Sequence, residues 1–251
     1  MPPKFYYQKN ANKSFQWHGM DNLEMFEYNS KNISDFNDIW NDIDISYKFN
    51  SNGFRNEEFE YFNNALFLGC SFTLGEAIPV DLRWTKIISQ ALMLNENNLA
   101  VTGASGDTCF RLANYWVEKL NPKYVFVLYP FKHRREEFKN DTVYSLYPNA
   151  DAKKVSKIVS EQVLDMPPHD EEIFNYHNKI WLSSQENILI NYTKNLAAIE
   201  NICSKNNAKL FIICFEDILN NVFSFPRGRD QMHPGIEAHK YIANLFLEKM
   251  D

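Results

Sequence analysis

The chain has 251 residues, of which 45% are hydrophobic, 15% aromatic and 23% charged, and a formal net charge of -6. This balance excludes a disordered tail and a collagen-like fibre, and the acidic pI near 5.6 argues against a general binder of nucleic acid. Surface scaling lets a chain of this length bury about 73% of its unfolded surface, which suits one large domain or one domain with additions.

The opening residues, Met1 to Tyr7, lack the apolar stretch of a signal peptide, and no run of about 18 apolar residues occurs. The expectation is a protein without a membrane span, cytoplasmic or otherwise soluble. Residues 1–60 scatter Phe15, Trp17, Phe26, Tyr28, Phe36 and Trp40 among polar residues with no clean period, as an extension packing onto a domain at 61–251 would. Within it, Trp17-His18-Gly19-Met20-Asp21 is a conspicuous cluster that reads as aromatic packing.

From about residue 64 the texture changes to short apolar runs: Ala65 to Leu68, Leu99 to Val101, Tyr124 to Tyr129 and Leu210 to Phe215. Near-continuous runs of this kind suit strands buried on both faces. Helical patterns lie between them. One spans Trp84 to Leu94, and another repeats through Phe110, Ala113, Trp116 or Val117 and Leu120 before Asn121-Pro122 stops it. The last begins at Pro234-Gly235 and carries Ile236, Ile242, Phe246 and Leu247 near one stripe. This alternation predicts an α/β fold, a three-layer α/β/α sandwich around a central, mostly parallel sheet. Residues 136 to about 172 break the rhythm with Tyr144, Tyr147, Pro148, Pro167 and Pro168, and read as an insertion before a long helical stretch to about Lys205. Cys70, Cys109, Cys203 and Cys214 have neither the density of a disulfide scaffold nor C-x-x-C spacing, so free thiols are expected.

Ligands of an open parallel sheet bind beyond the carboxyl ends of its strands, which makes the residues after each run informative. Gly69-Cys70-Ser71-Phe72-Thr73-Leu74-Gly75 sets a serine where a strand hands over to a helix. There a hydroxyl can act as nucleophile beside backbone N–H groups, or simply cap the helix. Gly103-Ala104-Ser105-Gly106-Asp107-Thr108 offers a close-approach turn with Asp107 as a possible helix cap. It is neither a phosphate loop nor a G-x-S-x-G elbow. Asp230-Gln231-Met232-His233-Pro234 is more specific: D-x-x-H followed by Pro is expected by chance roughly 0.013 times in such a chain. The spacing lets the carboxylate turn back onto the imidazole and fix its tautomer. His233, Glu237 and His239 do not share one face, so no metal is expected.

In this order and placement the three blocks resemble the SGNH hydrolase superfamily of GDSL-type esterases and lipases, over about 64–135 and 209–247, with Trp84 as in many members. The resemblance implies Ser71 as nucleophile, His233 as general base and Asp230 as its orienting acid. It implies an oxyanion hole from the N–H groups of Ser71 and Gly106. Where the family usually has G-x-N-D, this chain has Tyr129-Pro130-Phe131-Lys132-His133-Arg134, and the Asn that supplies a third donor is missing. Lys132, His133 or Arg134 could replace it, Arg134 first, or they form a solvated basic turn. The implied function is hydrolysis of an acyl ester, such as an acetyl ester, of a carbohydrate or small molecule without a cofactor. The alternatives are a non-catalytic binding module of the same fold and an acyltransferase using the same serine.

Overall fold

The computed structural model describes residues 9–139, 142–147 and 171–250. The N-terminal segment forms β1 (Ser14–Phe15), α1 (Leu23–Asn32), α2 (Phe36–Trp40) and β2 (Tyr47–Lys48), with β1 and β2 antiparallel. α1 starts where the Asn22 side chain accepts the Met25 N–H. Phe36, Trp40, Ile45, Tyr47 and Phe49 form a small core with Leu74, Ile78 and Ala100. Those three partners lie in the turns that follow the first strands of the main sheet, so the segment is packed onto the loop end of the sheet.

The rest of the chain runs through β3 (Asn64–Leu68), α3 (Ser71–Leu74), a tight turn at Val80–Leu82, α4 (Trp84–Ala91), β4 (Asn95–Asn98), α5 (Gly106–Leu120) and β5 (Tyr124–Tyr129). A hairpin of β6 (Arg135–Lys139) and β7 (Thr142–Leu146) follows, then α6 (Glu171–Tyr176) running into a π-helical turn at His177–Trp181. The chain closes with α7 (Gln185–Lys205), β8 (Lys209–Cys214), α8 (Phe215–Val222) and α9 (Ile236–Glu248). Four strands make a parallel sheet in the order β4-β3-β5-β8. α4 packs with α9, and α5 with α7. The architecture is the α/β sandwich with a parallel sheet that the alternation of runs predicts.

Register explains how the core is filled. Phe67 faces Phe126 and Phe126 faces Phe211 across neighbouring strands, with ring centroids 5.2 and 5.3 Å apart. Trp84 of α4 meets Phe67 edge-on and stacks on Phe246 of α9 at 4.8 Å. These rings tie both helices to one face of the sheet, since large aromatic areas dominate core energetics.

Two sequence expectations shift. The second strand is Asn95–Asn98, and the apolar run Leu99 to Val101 lies just beyond it, although the Leu99 N–H still reaches Phe67 O at 2.9 Å. A polar strand can be buried here because its side chains bond to neighbouring elements. Asn97 exchanges hydrogen bonds with the backbone of Glu60, Asn98 donates to Thr73 O, and Glu96 takes the fork of Arg83 with two bonds of 2.9 Å. The start of the expected insertion is an ordered hairpin. Glu136 fastens it to α5 by accepting from Thr108 Oγ1 at 2.6 Å and from the guanidinium of Arg111. Pro148, Pro167 and Pro168 lie outside the described residues. Among the described residues no helix is long and apolar enough to cross a membrane. The four cysteines are buried free thiols.

Candidate active site

β3 delivers Ser71. The strand ends at Leu68, and the N–H groups of Thr73 and Leu74 close back onto Cys70 O at 2.9 and 3.0 Å. The carbonyl of Ser71 accepts from Gly75 and Glu76 at 3.0 and 3.1 Å, which fixes the backbone on both sides of the hydroxyl. Ser71 is 5% exposed. As the first residue of α3 it has an N–H without an intrahelical acceptor.

The loop before α9 delivers Asp230 and His233. Its shape is set by Gly228 N–H to His233 O at 2.9 Å and Gln231 N–H to Gly228 O at 2.8 Å. Asp230 Oδ1 accepts the N–H groups of Met232 and His233, each at 2.9 Å, while Oδ2 takes a hydrogen bond with His233 Nδ1. The carboxylate therefore fixes the imidazole and leaves Nε2 for other chemistry. The His233 ring lies 5.4 Å from that of Phe72, and the Cys70 thiol is among the groups acting on its charge. His233 thus stands against Phe72, the residue after Ser71.

Burial pulls the His233 pKa down, but the Asp230 carboxylate and then that of Glu76 outweigh it and hold the value at about 9. Burial pushes Asp230 the other way, and the His233 charge and hydrogen bonds keep its carboxyl below the usual carboxylate range.

Gly106 is the first residue of α5, so its N–H also lacks an intrahelical acceptor. Only glycine fits there, because a Cβ would fall 1.8 Å from the Tyr129 hydroxyl. The helix cap is Ser105 and not Asp107: Ser105 and Thr108 form a reciprocal capping box. Asp107 instead accepts from Asn195 and Asn191 of α7 and from the Glu136 N–H, which braces the turn against α7 and the hairpin.

The basic turn after β5 divides its side chains. Lys132 pairs with Glu216 and donates its backbone N–H to the same carboxylate at 3.0 Å. His133 stacks on Phe131 and lies 3.8 Å from Glu216, and its pKa is lowered first by burial and then by Arg134. Arg134 rests on the Phe131 ring at 4.8 Å, with Nε and Nη1 out of solvent and without a hydrogen-bond partner among the described residues. Phe131 in turn reaches Phe72, with ring centroids 6.4 Å apart.

Sequence reasoning missed three charged residues here. Arg229, directly before Asp230, is held by Asp21 through two bonds of 2.8 and 2.7 Å and lies over the Trp17 ring at 4.2 Å. The cluster Trp17 to Asp21 therefore does more than pack: it clamps the loop that carries the acid. Glu76, fully buried, places an oxygen within 4.8 Å of a donor atom of both Asp230 and His233. That spacing could hold a cation, but the Asp230 and Glu76 oxygens already accept hydrogen bonds from protein groups. His239 and Glu237 part ways, His239 accepting the Trp84 N–H in the interior and Glu237 pairing with exposed Lys240. For Glu76 the only sequence signal is its position one residue after the Ser71 block.

Known proteins offer likenesses of shape and little of sequence. No protein-family model matches the chain, and no curated protein matches it. Among similar solved structures is the psychrotrophic esterase EstA from Pseudoalteromonas sp., with a TM-score of 0.37, 15% identity, and coverage of 75% of this chain and 98% of that one. A carbohydrate esterase gives a TM-score of 0.44 at 11% identity, covering 75% of this chain and 64% of its own. A member of the lipolytic G-D-S-L family from Veillonella parvula gives 0.34 at 13% identity, covering 74% and 96%. The chemistry below rests on the residues of the site.

Proposed function

We propose that this protein is a serine ester hydrolase of the SGNH type, acting on an acyl ester of a carbohydrate or small molecule. Ser71 Oγ attacks the ester carbonyl carbon as His233 takes its proton, and Asp230 holds the imidazolium that forms. The alkoxide leaves with that proton, giving an acyl-enzyme that water cleaves by the same steps in reverse order. The N–H groups of Ser71 and Gly106 receive the developing oxyanion, and Arg134 is the candidate for a third donor.

The observation that carries the reading is the pinned Asp230–His233 pair standing against Phe72, the residue that follows Ser71. A pair built this way suits its free nitrogen to take the proton of the Ser71 hydroxyl. With a base at about 9, only about 1% of His233 is neutral at pH 7, so the rate rises through neutrality and into the alkaline range.

The test is covalent. A fluorophosphonate probe adds its phosphonyl mass to the wild-type chain and hydrolysis of a neutral acetyl ester is measurable, whereas Ser71→Ala loses both and keeps its circular dichroism spectrum. Labelling of that variant at the wild-type rate overturns the assignment and points to Ser105.

A further inference from the structure

Glu76 is a buried carboxylate with no role in the mechanism above. It stands two positions beyond α3, fully out of solvent, and no lysine or arginine pairs with it among the described residues. One oxygen accepts the Met20 N–H at 2.7 Å and the other accepts the Thr102 hydroxyl at 2.8 Å. The N-terminal segment is moulded to it. Gly19 adopts φ +61°, and a Cβ there would come within 2.0 Å of Glu76 Oε1. A buried carboxylate with only neutral hydrogen-bond donors is costly unless a positive charge forms nearby. Arg55 acts on Glu76 by charge without a hydrogen bond to it, and the group in which a positive charge can form beside it is His233, whose ring nitrogen, an Asp230 oxygen and a Glu76 oxygen lie within 4.8 Å of one another.

We propose that Glu76 is a positioning residue for His233: a second carboxylate that, with Asp230, stabilises the imidazolium formed when the ring takes the Ser71 proton. The inference rests on the reading of Ser71, His233 and Asp230 given above. The proton passes from Ser71 Oγ to the free ring nitrogen as the oxygen–carbon bond forms, and from there to the leaving alkoxide. Burial raises the Glu76 pKa and the His233 charge draws it back, and in this proposal Glu76 acts as the carboxylate and passes no proton. Its effect is electrostatic, and it cuts two ways: the base is stronger, but more of it is already protonated at neutral pH.

The other groups facing this centre come from separate elements. Cys70 at the end of β3, His18 from the N-terminal segment and His239 from α9 act on His233, while Arg55 and Tyr47 act on Glu76. His18 and His239 are held neutral, each with a pKa lowered to about 3, first by burial. Neither can carry the charge in place of His233.

Glu76→Gln keeps the shape and the acceptor for Met20 but removes the charge. The expected result is a rising limb of kcat/KM displaced to lower pH by about 1–3 units, with the alkaline plateau reduced about tenfold and the rate at pH 7 held or raised. A limb that stays in place while the rate falls at every pH is a structural effect and overturns the proposal. Imidazole titration of His233 by NMR in wild type and Glu76→Gln reads the same displacement without turnover. Protein that hydrolyses no ester but shows the displacement sinks the esterase reading and with it the catalytic service of Glu76; an active enzyme with an unmoved His233 sinks this proposal alone. Should Glu76→Gln fail to fold, Glu76→Asp, which keeps the charge but draws it back by one methylene, decides by the same titration, with a smaller downward displacement expected and none overturning the proposal.

Discussion

Two walls reach Phe72, the residue after Ser71, and they are built on opposite principles. The His233 ring comes from a loop in which charges are matched: Asp21 grips Arg229, Asp230 grips His233, and Glu76 is held by Met20 and Thr102. Phe131 comes from a basic turn in which Lys132 is matched by Glu216 but two buried nitrogens of Arg134 are not. A buried charged donor left unmatched costs more than a matched one gains, so the two walls point to different duties. In the proposed reaction the first would be the proton-moving wall, and among the described residues the second keeps Arg134 nitrogens without a partner.

Removing a member of the first wall should hurt most. Asp230→Asn leaves the loop intact but favours the wrong tautomer of His233, and a loss in kcat of up to about 10,000-fold is expected if the pair behaves as the serine-protease triad does. Steady-state kinetics with a neutral acetyl ester measures it, and a loss below tenfold contradicts the role. Asp21→Asn attacks the same wall from behind. It leaves Arg229 buried and uncompensated, with an expected cost of about 3–5 kcal/mol in urea unfolding. A change under 0.5 kcal/mol would mean that the clamp is ornamental.

The charged wall also sets how stability follows pH. His233 has a folded-state pKa of about 9 against 6.5 unfolded, so the folded state binds more protons between those values. Its contribution, about 3 kcal/mol, is fully present below pH 6.5 and is lost as pH rises through 9. His18 and His239 act in reverse: held neutral in the fold, they weaken it as pH falls below 6.5, because the unfolded chain then binds the extra protons. Urea midpoints measured from pH 5 to 9.5 should peak near pH 6–7, and His233→Gln should flatten the alkaline side. An unperturbed histidine would set the rise of the proposed activity near 6.5; the Asp230 and Glu76 carboxylates move the His233 value upward.

The smallest effect is expected on the second wall. Arg134→Ala should lower kcat on a neutral acetyl ester by about 10- to 100-fold if its free nitrogens reach the oxyanion, with KM changing little. Lys132→Ala and His133→Ala should change it less than fivefold, because Glu216 already occupies both groups. If Arg134→Ala keeps wild-type kcat on that ester, the two backbone donors suffice.

The blocks that carry the proposed chemistry are legible in the chain because they are local: Ser71 follows an apolar run, and Asp230 and His233 sit three apart. The sheet is legible for the same reason wherever its strands are apolar. β4 is not, since Asn95-Glu96-Asn97-Asn98 has the hydropathy of a loop and becomes a strand only when Arg83, Glu60 and Thr73 answer its side chains. Glu76 and Asp21 are hidden in a different way. Each is an ordinary acidic residue until a partner far off in sequence comes alongside, and periodicity carries no information about that meeting.

The bond between Asp21 and Arg229 spans 208 positions of the chain. At about 5–20 residues per second of synthesis, the first partner waits roughly 10–40 s for the second to be made. Ser71 emerges in that interval, and the Trp17 segment can already close on Leu74, Glu76 and Ile78 but leaves Asp21 without its arginine. The Asp21–Arg229 clamp is therefore completed late, and a polypeptide truncated before Arg229 carries Ser71 without Asp230 and His233.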